Sequence, residues 1–405
     1  MSKDELVDKA VGCLVGAAVG DALGGATEGA MPEQIVERYG GWVSGVVGPY
    51  HSDWRTARPT APYHKGDGHI TDDTLMTHAL VRAYAAKRDH LDAYDVADLL
   101  VPDLISRPVY IPDLEREAVT LHRLALAERH LVAQLHHAHA DPREAGAGNI
   151  VNCGAAMYMA PVGIVNAGDP AGAYAEAAEI AGAHQVSYGR EAAAVFAAAV
   201  AEAMAPDATV DSVVAASSEL ARDGTRAAID AVCRAARGCA DVKQALPALR
   251  DAVAPFDSVG PEYRNPGLGA RRPSRLHAIE ELPVALGLLV VARGSYADAV
   301  LGAVNYGRDA DSTATMAGAV AGALAGVESV PAEWADRVST ASRVDLAEPG
   351  RVLAAVARQG YAADQGRWHA RARRFEALDT ASRQRMSIAA SGERSEHAGE
   401  QSGEA

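Results

Sequence analysis

The sequence predicts an all-α protein of many closely packed helices. Hydrophobic residues make up 49% of the 405 positions, yet aromatic residues only 5%. Alanine and glycine fill the difference. Such a core suits helices in close contact, not sheets built on aromatic and β-branched pairs. Apolar residues also recur at helical spacing along most of the chain, in segments bounded by Gly, Pro and Asp.

Residues 5–25 read as a helix rich in Gly, Ala and Val, with Gly12, Gly16 and Gly20 spaced by four. In a membrane that spacing marks a dimer seam; in a water-soluble chain it lets a second helix come close. Residues 40–70 form an irregular stretch with Trp42, His51, Trp54, Arg58, Pro59 and Pro62. Its length fits either a lid or binding loop or a flexible insertion. Helical patterns follow at 71–88, 92–106 and 113–138, broken by Pro102, Pro108 and Pro112. Residues 146–168 are Gly-rich, a turn before a helix whose N–H groups could face a phosphate. Helices resume at 190–204, 209–221, 224–238 and 242–252. A second irregular segment, 255–275, carries Tyr263, Arg264, Arg271, Arg272 and Arg275. Tyr263 could stack on a base and the arginines meet phosphate, or the segment is a solvated basic loop. Further helices fall at 276–292, 295–305, 312–326, 332–342 and 350–358. We place the main domain at 1–360, a basic helical appendage at 361–386, and a Ser-, Glu- and Gly-rich tail at 387–405. That tail has too little apolar surface to order itself.

The formal net charge of −15 argues against nonspecific binding to a nucleic-acid backbone. No Cys-x-x-Cys pair occurs, so Cys13, Cys153, Cys233 and Cys239 read as buried small hydrophobes in a reducing compartment. The uncharged segments are shorter than the ~20 residues of a membrane span, and the first residues show no signal-peptide pattern. The expected location is the cytoplasm. His136, His137 and His139 cannot share one helix face and read as an exposed helix end.

Two acidic clusters stand out. Tyr306-Gly307-Arg308-Asp309-Ala310-Asp311-Ser312 opens an uncharged run of small residues, 313–327. Asp309 and Asp311 converge on one object only if the chain turns at Gly307 and a helix starts just after. Alone, the segment reads equally well as a capped helix whose acidic residue complements the dipole. The other cluster is Thr71-Asp72-Asp73-Thr74, after Lys65-Gly66-Asp67-Gly68. At about 4 Å and an effective dielectric near 20, each like-charged pair costs roughly 4 kcal/mol. A fold that gathered Asp72, Asp73, Asp309 and Asp311 would have to protonate some of them or bind a cation. Carboxylates and hydroxyls suit Mg²⁺, Mn²⁺ or Ca²⁺.

Taken together, these motifs resemble the ADP-ribosylglycohydrolase family over residues 8–335. The run from Gly12 through Asp21 to Gly24 is similar to that family's opening helix, with Glu28 at its acidic position. Thr71-Asp72-Asp73-Thr74 and Asp309-Ala310-Asp311-Ser312 resemble its two metal motifs. Gly154-Ala155-Ala156-Met157 with Ala160-Pro161-Val162-Gly163 resembles its substrate-binding segment, and Ala183-His184 its Thr-His element. The chain departs from the family pattern at Arg308, where a second Gly is usual, at Tyr158, where an Arg is common, and at Ala183.

The resemblance implies a compact multi-helix domain with a dinuclear metal cleft at helix N-termini. Thr71, Asp72, Asp73, Asp309, Asp311 and Ser312 would hold two Mg²⁺ or Mn²⁺ ions. It implies hydrolysis at the anomeric carbon of an ADP-ribosyl or related ribosyl group, free or carried on a modified protein, through an oxocarbenium-like transition state. Glu28, Asp72, Asp73 and Asp311 are the candidate catalytic residues; Tyr158, His184, Tyr263 and Arg308 are candidates for gripping substrate. Arg308 equally fits a buried structural ion pair. The alternatives are a hydrolase of another N- or O-riboside on the same fold, a non-catalytic ADP-ribose-binding module, and a two-metal phosphohydrolase, whose His-rich ligand set is missing.

Overall fold

The computed structural model describes residues 4–52, 54, 63–257 and 279–400. The chain divides into two units, Met1–Ala357 and Arg358–Ala405. The first is all-α apart from one small hairpin among the described residues. Its helices are α1 (Glu5–Gly25), α2 (Pro32–Tyr39), α3 (Asp72–Lys87), α4 (Ala93–Asp95), α5 (Val101–Ser106), α6 (Leu126–Val132), α7 (Ala160–Val165), α8 (Pro170–Gly182), α9 (Ser187–Ala203), α10 (Val210–Leu220), α11 (Asp223–Arg237) and α12 (Val242–Val253). After the undescribed stretch come α13 (Glu281–Val291), α14 (Tyr296–Tyr306), α15 (Ala310–Ala325), α16 (Ala332–Ser342) and α17 (Glu348–Glu400).

The centre of this unit is the antiparallel pair α1 and α15. A Cβ placed on Gly12, Gly16, Gly20 or Gly24 would overlap the backbone at Gly322, Gly318, Ala314 or Ala310 respectively. The four-residue glycine repeat is thus a seam where two backbones touch. Hydrogen bonding fastens it, since Lys9 Nζ of α1 donates to Ala323 O of α15 at 3.0 Å. The same register sets Asp21 of α1 beside Asp311 of α15, which is what makes the seam matter for the site.

The stretch 113–138 departs from the helix expected there. Pro108–Ile111 and Arg116–Val119 form an antiparallel hairpin, β1 and β2, pairing Pro108 with Val119 and Ile111 with Arg116. A 3₁₀ turn, Pro112–Leu114, joins them, and Glu115 takes a left-handed φ of 52°. Pro112 lacks the N–H a helix would need, and Val109, Tyr110 and Ile111 suit an extended backbone. Helix returns only at α6 and ends in a π turn, Ala133–His137, where His136 and His137 are exposed.

α17 spans Glu348–Glu400. Residues 401–405 lie outside the described residues. In the second unit Tyr361, Trp368 and Phe375 are exposed, and their seven-residue spacing sets them on one helix face.

Candidate active site

Three helix starts build the site. Thr71 takes an extended conformation (φ −110°) as the N-cap of α3, so Asp72 and Asp73 occupy its first turn. Asp21 holds that start in place. It accepts from Thr71 N at 2.9 Å, Thr71 Oγ1 at 2.6 Å, Thr74 N at 3.2 Å and Thr74 Oγ1. The second start is that of α15. Gly307 and Arg308 both have positive φ, 71° and 57°, which turns the chain. The turn is clasped to the segment that follows α1: Arg308 N donates to Ala30 O at 2.8 Å and Gly29 N donates to Arg308 O at 2.6 Å. This clasp carries Glu28 to Asp309 and Asp311. The third is the 3₁₀ turn Cys153–Ala155, capped by Asn152.

The result is a cleft of about 840 Å³ lined by Glu28, Lys65, Asp72, Asp73, Asp309, Asp311 and Ser312, among others. Its carboxylates form overlapping groups. Oxygen atoms of Asp21, Asp73 and Asp311 lie within 4.8 Å of one another, as do those of Glu28, Asp309 and Asp311. Asp311 belongs to both.

Electrostatics make this arrangement costly without cations. Asp73 is 2% exposed and its Oδ1 has no hydrogen-bond partner. Burial, then the charges of Asp311, Asp21, Asp72 and Asp309, push its carboxyl well above the usual range. Burial lifts Asp21 to about 7 against the hydrogen bonds from Thr71 and Thr74, with Asp311 adding to the rise. One internal cation enters the group: Lys65 Nζ pairs with Glu28 and lies 3.2 Å from Asp311 Oδ2. Burial works against the Lys65 ammonium, and the carboxylates of Asp311, Asp72 and Asp113 together outweigh it. An orphaned carboxylate oxygen, an all-oxygen donor set and a positive charge already drawn in fit a hard divalent cation.

The remaining walls are fixed by ion pairs. Arg123 is buried, pairs with Asp113 and, at 3.0 Å, with Asp72 Oδ1, and lies over the Tyr63 ring at 4.1 Å. Tyr50, His51 and Trp54 of the 40–70 stretch also line the cleft.

Among the residues expected to grip substrate, the geometry is different. Tyr158 and His184 are fully buried and do not line the cleft; Tyr158 Oη and His184 Nδ1 are 3.1 Å apart. They stand behind Glu128, which does line it and whose Oε1 is 3.7 Å from His184 Nε2. Arg308 points away from the cleft: its guanidinium meets Glu280 Oε2 at 2.6 and 2.9 Å and Asp257 Oδ2 at 2.7 Å. The buried ion pair is therefore the arrangement this side chain adopts. Tyr263 lies outside the described residues. Asp21, Lys65, Arg123, Glu128 and Cys153 were not singled out from the sequence as site residues. Asp21 carried a legible signal, being the one acidic residue inside the Gly-Ala run of α1.

Fold and cleft together define an all-α domain built around a buried acidic centre able to hold hard cations. The chain belongs to the ADP-ribosylglycohydrolase family, whose model matches residues 2–369. Among solved structures it is similar to one titled an ADP-ribosylglycohydrolase-related protein complex, with 21% identity and a TM-score of 0.59, covering 88% of this chain and 100% of that one. At that identity the likeness bears on the fold. No curated protein sequence matches the chain. No helix among the described residues is long and apolar enough to cross a membrane.

Proposed function

We propose that this protein is a divalent-metal-dependent hydrolase of the glycosidic bond at the anomeric carbon of an ADP-ribosyl or related ribosyl group. The observation that carries the reading is the buried carboxylate cluster, with Asp73 Oδ1 unpartnered at its centre. Asp72, Asp73, Asp309 and Asp311, with the hydroxyls of Thr71 and Ser312, would hold two Mg²⁺ or Mn²⁺ ions. When bound, such ions anchor ribose hydroxyls and polarise water.

The chain's own residues do the rest. Asp21 fixes the start of α3 through four hydrogen bonds and so orients Asp72 and Asp73. Glu28, next to Asp309 and Asp311, is placed to take or return a proton at its carboxylate. Lys65, paired with Glu28, offers positive charge to a substrate phosphate once cations satisfy the carboxylates. Tyr50, His51 and Trp54 offer ring faces for an adenine. Tyr158 and His184, hydrogen-bonded to each other, act through Glu128 as the packing behind it. The cavity's volume suits a ligand of nucleotide size.

The test is a panel of ADP-ribosyl and simpler ribosyl compounds, assayed with metal-free protein and after adding Mg²⁺ or Mn²⁺. Release of free ADP-ribose or ribose only with metal is the expected result. Metal-independent release, or none across the panel, would count against the reading.

A further inference from the structure

Beside the oxygen cluster, reaching from the cleft wall to Glu281 behind it, lies a group of different chemistry. Cys153 Sγ, a carboxylate oxygen of Asp309 and one of Glu281 lie within 4.8 Å of one another. Their exposures are 5%, 7% and 2%. They come from three separate elements: the 3₁₀ turn, the residue before α15 and the first residue of α13. Cys153 Sγ is 3.0 Å from Asp309 Oδ2 and 3.2 Å from Ser312 Oγ. Independently of these contacts, Glu281 Oε2 is buried and has no hydrogen-bond partner. An orphaned carboxylate oxygen inside a protein is costly unless something binds it.

A sulfur donor changes which cation suits the position. Mg²⁺ and Mn²⁺ favour oxygen, whereas thiolate with carboxylate suits Zn²⁺, Co²⁺ or Cd²⁺. Ligand atoms about 2.0–2.3 Å from a tetrahedral zinc lie roughly 3.3–3.8 Å from one another. The spread of these three donors allows that geometry with small side-chain shifts.

We propose that Cys153, Asp309 and Glu281 form a binding site for a thiophilic divalent cation, adjoining the hard-cation site and sharing Asp309 with it. On binding, the Cys153 thiol releases its proton to solvent as the sulfur–metal bond forms; no electron is transferred. Occupancy draws Asp309 away from the hard-cation site, so zinc at this position inhibits the reaction proposed above. Binding stands apart from that reading; inhibition rests on it.

Co²⁺ added to metal-free full-length protein is the probe, because a cobalt–thiolate bond gives a charge-transfer absorption band. The wild type should show the band at one equivalent, and Cys153→Ser should lose it while keeping helical circular dichroism. Glu281→Gln, which retains every cysteine, should keep the band and weaken Co²⁺ at least about tenfold. Should Cys153→Ser misfold, the Glu281→Gln titration decides alone. The proposal is overturned if the wild type gives no band, if the band survives in Cys153→Ser, or if Co²⁺ affinity is unchanged in Glu281→Gln. With an active preparation, Cys153→Ser should also need at least about tenfold more Zn²⁺ for half-inhibition; equal sensitivity would overturn the inhibitory role. A cobalt band in a protein that hydrolyses no ribosyl compound would sink the proposed function and leave this site standing.

Discussion

Glu128 and His184 show how burial sets the chemistry of single residues here. Burial, reinforced by the charge of Asp72, lifts the Glu128 carboxyl to about 7 from 4.5. Burial lowers His184 to about 3 from 6.5. The two contributions to stability run in opposite senses. Between pH 4.5 and 7 the unfolded chain releases the Glu128 proton while the folded chain keeps it, so that contribution falls as pH rises, by roughly 3 kcal/mol. Between pH 3 and 6.5 the unfolded chain binds a proton at His184 and the folded chain does not, so that contribution grows with pH. From 4.5 to 6.5 they largely cancel. Relative to wild type, Glu128→Gln should therefore gain stability as pH rises through 4.5–7, and His184→Gln should lose it through 3–6.5. Urea unfolding of the three proteins across pH tests this; parallel curves would contradict it.

Arg308 makes a second argument at this scale. Its backbone sits at φ 57°, a conformation that costs a non-glycine residue about 1–2 kcal/mol. Arg308→Gly relieves that strain but leaves Glu280 and Asp257 without their cation, a loss of about 3–5 kcal/mol for a buried pair. The second effect is larger, so the variant should melt at a lower temperature, with kcat/KM falling only in proportion to folded enzyme. An unchanged melting temperature with a raised KM would instead place Arg308 on the substrate.

Among the elements, the α1–α15 seam joins packing to chemistry. A methyl group on Gly16 would overlap Gly318 O, and forcing the helices apart costs about 1–3 kcal/mol. The separation also moves Asp21 relative to Asp311, so Gly16→Ala should weaken Mn²⁺ binding although Gly16 does not line the cleft. Calorimetric Mn²⁺ titration beside thermal melting checks this; lowered stability with full metal affinity would show that seam and site are uncoupled. The glycine repeat and its need for a close neighbour were legible in the sequence. So were the starts of α3 and α15, since Thr71 and Gly307 carry their signals locally. The hairpin at 108–119 was not: Leu114, Ala118 and Leu121 imitate helical spacing, and the antiparallel pairing that overrides it involves partners the local pattern does not reveal. Lys65, Glu128 and Glu281 were hidden for a related reason. Each is an ordinary charged residue in its own segment and joins the cleft only through long-range packing.

For the molecule as a whole, the residues that line the acidic cleft all belong to the first unit, Met1–Ala357. The central claim is that a charge conflict, four Asp residues with Glu28 in one buried cleft, is resolved by divalent cations that then serve hydrolysis. Asp311 is the residue common to two of the carboxylate groups, so its charge tests the claim most directly. The decisive measurement is Mn²⁺ binding and ADP-ribosyl turnover on the same preparations of wild type and Asp311→Asn. The account predicts that Asp311→Asn keeps its helical circular dichroism, loses most bound Mn²⁺ and turns over no substrate. An Asp311→Asn protein that binds Mn²⁺ like wild type and hydrolyses substrate at the same rate would contradict it.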